Sequence, residues 1–198
     1  MTMRYLTWLV ATALLAGCAG SASAPSLYVL DSAPAARLPV SPAASQAQLV
    51  VAPVEIAPIL DERGIVYQTA PHRVVIANHN RWAAPLDSQL RDALIANLGA
   101  ALPGVTVVRR APAGQASTMT LHTRVDRFMG HYDGQARIAG IWRLAGANDE
   151  TLIERRFTRD VALEEDGYDA LVDSLAAGWQ DSAEALADDI AHTVRPSP

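Results

Sequence analysis

One thiol, five imidazoles and a run of carboxylates are the side chains in this 198-residue chain whose types suggest chemistry. The thiol is that of Cys18, directly behind Leu15-Ala16-Gly17. A thiolate is both a nucleophile and a soft metal ligand. A lone cysteine forms neither an internal disulfide nor a multi-thiolate metal site. The imidazoles are His72, His79, His122, His131 and His192. None stands at His-x-His or His-x-x-x-His spacing, which would aim two ligands at one metal. The carboxylates between Asp160 and Asp173 lack calcium-loop spacing and read as a solvated helix start. Neither a Gly-x-Ser-x-Gly elbow nor a phosphate loop occurs. The expectation is a protein that is not an enzyme and holds neither metal nor cofactor.

The setting of Cys18 is more informative. Arg4 supplies a positive start, Leu6 to Ala16 an apolar run, and small residues follow. That order is a secretory signal. The run is too short to cross about 30 Å of hydrocarbon. Leu15-Ala16-Gly17-Cys18 resembles a bacterial lipobox. The resemblance implies a diacylglyceryl group on the Cys18 thiol, cleavage before Cys18, and an N-acyl lipid on the new amino terminus. A plain signal peptide cut after Ala22-Ser23-Ala24 is the alternative. Two or three acyl chains hold where one would not, since each buried methylene contributes about 0.8 kcal/mol. Ala19 to Pro25 is rich in alanine, serine and glycine and reads as a tether reaching at most about 25 Å. Alanine rather than aspartate after the cysteine implies, by likeness to Gram-negative lipoproteins, the outer membrane. The expected division is a signal over 1–17, a lipidated tether over 18–26 and one periplasmic domain over 27–198.

Half of the residues are hydrophobic and 19% are charged, which gives the body a core. Net charge is −5, all sixteen basic residues are arginine, and they form no large block. This argues against a nucleic-acid partner, which needs clustered cations to displace phosphate counterions.

The elements that must carry these residues follow from periodicity. Leu27 to Leu30 is a short apolar patch behind the tether, readable as an edge strand or an adhesive tail. Asp31 to Gln48 reads as loop. Leu49 to Ile56 is a β-branched strand that Pro53 interrupts. Ile65 to Thr69 and His72 to Ala77 flank Ala70-Pro71 as a hairpin. Leu86, Leu90, Leu94, Leu98 and Leu102 recur every four residues behind Pro85, which predicts a helix stopped by Pro103-Gly104. Val105 to Val108 is a strand, and Arg109 to Ser117 a loop. Thr118 to Phe128, Ala136 to Leu144 and Leu152 to Leu163 alternate with period two, which predicts an antiparallel meander. Gly167 to Thr193 is a second helix with Leu171, Leu175, Trp179, Leu186 and Ile190 near one face. The fold class is α+β: one mainly antiparallel sheet of about five to seven strands, with two amphipathic helices packed on one face.

The remaining choice is between core and contact. Trp142 and Trp179 read as packing between sheet and helix. Trp82, behind Arg81 at a strand-to-helix junction, reads as a core anchor, with an exposed partner contact as the alternative. Tyr28, with Leu27 and Leu30, must dock on its own domain, on another copy or on a partner. Leu27, Tyr28, Leu30, Arg81 and Trp82 are therefore the candidate partner-binding residues, and Cys18 the candidate lipidation site. Arginines 137, 143, 155, 156 and 159 fall on neighbouring strands, where acids across the sheet can pair with some of them.

In this order and spacing, four further segments join the lipobox: Leu27-Tyr28-Val29-Leu30, Val51-Ala52-Pro53-Val54, Pro58-Ile59-Leu60-Asp61 and Arg81-Trp82-Ala83-Ala84-Pro85-Leu86. Together they resemble the auxiliary lipoprotein component of ABC-type transporters, the PqiC-like family. The likeness covers most of the chain beyond the signal. Ala84 departs from it, standing where many relatives have an acidic residue. The resemblance implies a periplasmic domain tethered to the outer membrane that cooperates with a mammalian-cell-entry (MCE) protein tube and an inner-membrane ABC transporter in moving lipid between membranes. It implies no catalysis. A homo-oligomeric ring would suit a tubular partner by symmetry. A lipid-binding shuttle is the rival reading and needs a large apolar cavity. A periplasmic hydrolase would need titratable groups clustered in a cleft.

Overall fold

The computed structural model describes residues 24–30, 47–110 and 118–194. The signal segment, Cys18 and most of the two expected loops lie outside the described residues. The described elements, in chain order, are strands β1 (Ser26–Tyr28), β2 (Ala47–Val51), β3 (Glu55–Ile56), β4 (Gly64–Ala70) and β5 (Arg73–Trp82), helix α1 (Leu86–Ala101), strands β6 (Val105–Val108), β7 (Thr118–His131), β8 (Gln135–Ala145) and β9 (Thr151–Ala162), and helix α2 (Tyr168–Val194). A 3-10 turn at Pro58–Leu60 joins β3 to β4.

β7 is the spine of the sheet. Along one edge it pairs antiparallel with β8, which pairs antiparallel with β9. Along the other edge β2, β3 and β4 lie end to end, each parallel to β7. β6 flanks β2, β5 flanks β4, and β1 flanks β5. Of the eight pairings among the described strands five are parallel, so the sheet is mixed rather than mainly antiparallel. The physical reason is that alternation identifies a strand but carries no direction. Hairpins fix the antiparallel pairs locally, whereas β2, β3 and β4 meet β7 only through distant contacts.

Local chemistry explains the breaks. Pro53 has no N–H to give a ladder, and the strand lapses between β2 and β3. Ala52 and Ala57 keep the path beside β7 by donating their N–H groups to the carbonyls of Leu121 and Val125 (both 2.9 Å). In β7 the inward set Leu121, Thr123 and Val125 is followed by a register shift between Val125 and Arg127. The bulge moves the phase by one, so Phe128 rather than Arg127 turns inward.

The two-helix α+β architecture is as expected, and both helices bury the faces read from their periodicity. Leu90, Leu94 and Leu98 of α1 are fully buried, as are Leu175 and Ile190 of α2. Each such side chain contributes about 1.5–3 kcal/mol. Trp179 ties the layers together. Its ring meets Phe128 edge-on at 6.2 Å and lies 5.6 Å from Trp142, and its indole N–H donates to the Leu90 carbonyl at 3.1 Å. Trp142 in turn stacks on Phe157 at 3.9 Å. Both tryptophans are core residues, as their spacing implied. Gly140 makes room for this cluster, because a Cβ there would run into the Arg124 carbonyl and the Phe157 ring. No helix among the described residues is long and apolar enough to cross a membrane.

Candidate anchor and docking site

The chain enters the domain through β1, which lies parallel to the end of β5. Ser26 stands opposite Asn80, Leu27 opposite Arg81 and Tyr28 opposite Trp82. Two further bonds lock the segment. The Ala83 N–H donates to the Tyr28 carbonyl at 2.8 Å. The Leu30 N–H donates to Gln89 Oε1 at 2.8 Å, and Gln89 Nε2 donates to the Ala84 carbonyl at 2.9 Å. Gln89 projects from the buried face of α1, one turn beyond Leu86, and satisfies a backbone amide that would otherwise be buried without a partner. The apolar patch behind the tether thus docks on its own domain.

Strand alternation then sorts the patch. Leu27 faces solvent at 63% exposure, whereas Leu30 is core at 6%. Tyr28 is half-buried. Its hydroxyl donates to Asn80 Oδ1 at 3.2 Å, and its ring lies 6.5 Å from that of Tyr168. Burial first, then the hydrogen bond and charge of Asp169, push its phenol pKa up, so it is a neutral donor at physiological pH. Arg81 is half-buried and folds back on its own strand, donating from Nε to the Asn78 carbonyl at 2.7 Å.

Trp82 takes the first of its two readings, the core anchor, and not the alternative. It is 5% exposed, with its ring 6.1 Å from Phe128, and so is not an exposed partner contact. The polar run Asn78 to Arg81 reads as a junction, but β5 continues through it, with Ala77 and Trp82 buried at its inner positions. Leu30 is withdrawn from contact in the same way. Of the five candidate contact residues, Leu27 is fully presented and Tyr28 and Arg81 partly so. Cys18 lies outside the described residues. Gln89, the residue that organises the site, was not singled out from the sequence. Its signal was a glutamine inside a leucine stripe.

Beside this junction a cleft of about 240 Å³ opens between Asp61–Arg63 and Ala83–Leu86, with Trp82 in its wall. Other clefts of about 270, 250 and 280 Å³ lie elsewhere on the described surface. The tightest group of titratable side chains sits at the β7–β8 turn. His131 Nδ1 lies 2.6 Å from Asp133 Oδ1, and Arg137 Nη2 lies 2.6 Å from Asp133 Oδ2. Burial works to raise the Asp133 pKa, but the hydrogen bond from His131 and the charges of Arg137 and His131 outweigh it and hold the carboxyl below its ordinary value. This chain of bonds braces a hairpin. Arg137 also approaches Asp160, Arg143 pairs with Asp149, and Arg155 approaches Asp189, so several of the strand arginines meet acids. No group of three metal-ligating side chains occurs among the described residues.

A two-helix α+β domain, clamped by its first strand close behind a lipobox-like cysteine, has the build of an envelope-associated accessory lipoprotein. Comparison with known proteins agrees. The chain belongs to the family of ABC-type transport auxiliary lipoprotein components, whose model matches residues 28–191. It is 40% identical over 187 residues to the intermembrane transport lipoprotein PqiC of Escherichia coli (strain K12), covering 92% of this chain and 96% of that one. The PqiC of Shigella flexneri matches equally. Among solved structures, one described as that of an uncharacterized protein is 36% identical with a TM-score of 0.73, covering 84% of this chain and 99% of that one. A Xanthomonas campestris protein shares the fold at 20% identity and a TM-score of 0.64, over 85% of this chain and 95% of that one. The relatives are named as transport auxiliary lipoproteins rather than as enzymes.

Proposed function

We propose that the chain is a lipid-anchored docking component of an MCE-type system for intermembrane lipid transport. It is held at the periplasmic face of the outer membrane by diacylglyceryl and N-acyl lipids on Cys18. The observation that carries this reading is the 40% identity to PqiC over 92% of the chain. The role is tethering plus a protein interface, without catalysis. Energy for transport comes from the ATPase partner. The docked first strand supports the reading, because it holds the domain on a short leash and presents Leu27 to solvent. A ring of copies would match a tubular partner by symmetry.

The test is photocrosslinking in cells from Leu27 and Tyr28, with identification of the captured proteins. Capture of an MCE-domain protein is the expected result. Failure to capture one from any exposed position, together with normal outer-membrane lipid balance in a deletion strain, overturns the reading.

A further inference from the structure

We propose that the end of the sheet formed by the β4–β5 and β7–β8 turns rests on the lipid bilayer that carries the acyl chains of Cys18. This rests on the reading of Cys18 as the lipidated residue. The first argument is the direction of the tether. β1 runs parallel to β5 with Ser26 opposite Asn80, so the chain upstream of Ser26 heads toward Arg73, at the turn between β4 and β5. Pro25 biases Ala24 toward an extended backbone. Cys18 stands eight residues before Ser26, a reach of at most about 29 Å. β5 bulges between Ile76 and Arg81, where its five steps stand opposite two of β4, so from Asn80 back to Arg73 it covers at most about 20 Å. A tether of that reach is long enough to pass the turn, so a surface that holds its far end can come close to the turn.

The second argument is what is exposed there. The parallel register of Tyr67 with Gly130 and of Gln68 with His131 brings both turns to the same end. At that end Val74 is 42%, Val75 46% and Tyr132 48% exposed. Val74 and Val75 are consecutive on a strand and so face opposite sides. One further protein layer would cover only one of them, whereas a fluid interface covers both. Tyr132 is held outward. Its ring lies against that of His131, centroids 4.1 Å apart and tilted by 33°, and Asp133 fixes His131 and Arg137 behind it. An amphipathic ring of this kind suits the headgroup level of a bilayer. The charges nearby are mixed: His72 and Arg73 at one turn, and Glu164, Glu165 and Asp166 on the segment that the Leu163 N–H ties to the Gly134 carbonyl. The contact is therefore apolar rather than an attraction to anionic lipid.

The test uses the lipidated protein reconstituted in vesicles of phosphatidylethanolamine and phosphatidylglycerol that carry a headgroup quencher. With Cys18 acylated, Val75→Cys or Tyr132→Cys offers a single thiol for a fluorophore. Glu62→Cys and Asn148→Cys report from the opposite end of the sheet. Labels at 75 and 132 are expected to lose most of their emission while those at 62 and 148 keep theirs. Equal loss at both ends, or greater loss at 62 or 148, overturns the proposal. The mass of the Cys18 peptide, read in parallel, separates the two claims. Acylated Cys18 without quenching at 75 and 132 refutes the bilayer contact alone. Unacylated Cys18 refutes the lipid-anchor reading, and the contact with it.

Discussion

Replacing Gln89 by leucine should release the first strand without unfolding the domain. The Gln89 amide satisfies the Leu30 N–H at 2.8 Å, and Leu30 is buried. Leucine is apolar and of similar size, so it fits the stripe formed by Leu86, Leu90 and Ala93, but it leaves the Leu30 amide with no acceptor. A buried, unsatisfied amide costs about 1–3 kcal/mol, with a centre near 2. β1 is a three-residue edge strand, so it opens locally at far lower cost than the whole domain. A change of about 2 kcal/mol raises its open population about 30-fold. Hydrogen exchange at the Leu30 amide reads that factor directly, and the melting temperature reads the rest of the domain. The expected result is exchange at Leu30 faster by about that factor, with amides in β7 and β8 unchanged. Gln89→Glu keeps an acceptor for Leu30 and should retain most of the protection. Acceleration below about threefold in Gln89→Leu, under about 0.7 kcal/mol, would refute the clamp.

Three further outcomes follow from the packing and the charges. Trp82→Ala should cost about 3–5 kcal/mol of stability, as a buried aromatic does, while Leu27→Ser leaves the denaturant midpoint nearly unchanged. Equal effects would put Trp82 back on the surface. Gly140→Ala should destabilise by about 1–3 kcal/mol, because the added methyl meets the Arg124 carbonyl and the Phe157 ring, and the Trp142–Phe157 near-ultraviolet signal should change with it. Asp133 has its folded pKa held down, so its contribution is fully present above the unfolded carboxyl value, near pH 4, and is lost as pH falls through the lower folded value. Asp133→Asn removes that dependence, and the melting-temperature gap between wild type and variant should close as pH falls below about 4. A constant gap would show that the brace does not act through ionisation.

What could be read in advance follows a physical line between local and distant information. The leucines of α1 and the Leu171–Ile190 face of α2 announce themselves because a helix satisfies its own backbone and needs the rest of the chain only to cover one stripe. Pro53 likewise ended a strand wherever that strand was to sit. The direction of β2, β3 and β4 was not legible, because their partner lies more than fifty residues away and period two is the same for either direction. The alternation of β7 was followed to Phe128, past the bulge at Val125–Arg127 that shifts its phase, although the strand runs on to His131. At the site, Tyr28 and Leu30 were recognised as needing a surface, but which surface depended on Gln89, a polar residue whose partner is fifty-nine positions away. Trp82 was hidden by its neighbours: four polar residues look like a loop, and β5 bulges there, between Ile76 and Arg81, so the period of two that would announce a strand is broken.

The clamp matters because it sets the length of the leash. With β1 docked, Cys18 stands eight positions before Ser26, and under the proposed lipidation the domain stays within about 29 Å of its anchor. Without it, the next described element is β2 at Ala47, twenty-nine positions after Cys18, a contour of at most about 100 Å. A leash of the second kind fixes neither height nor orientation. One of the first kind, leaving the domain along β5, lets the valines and the tyrosine at the sheet end meet the bilayer while the rest of the surface stays free for protein contact. A short strand, one glutamine and a parallel register thus turn a lipid anchor, which by itself only localises, into one that also orients. The weight of that argument falls on Gln89: a leucine there should lengthen the leash, and in the vesicle experiment the contrast in quenching between positions 75 and 148 should shrink while Cys18 remains acylated.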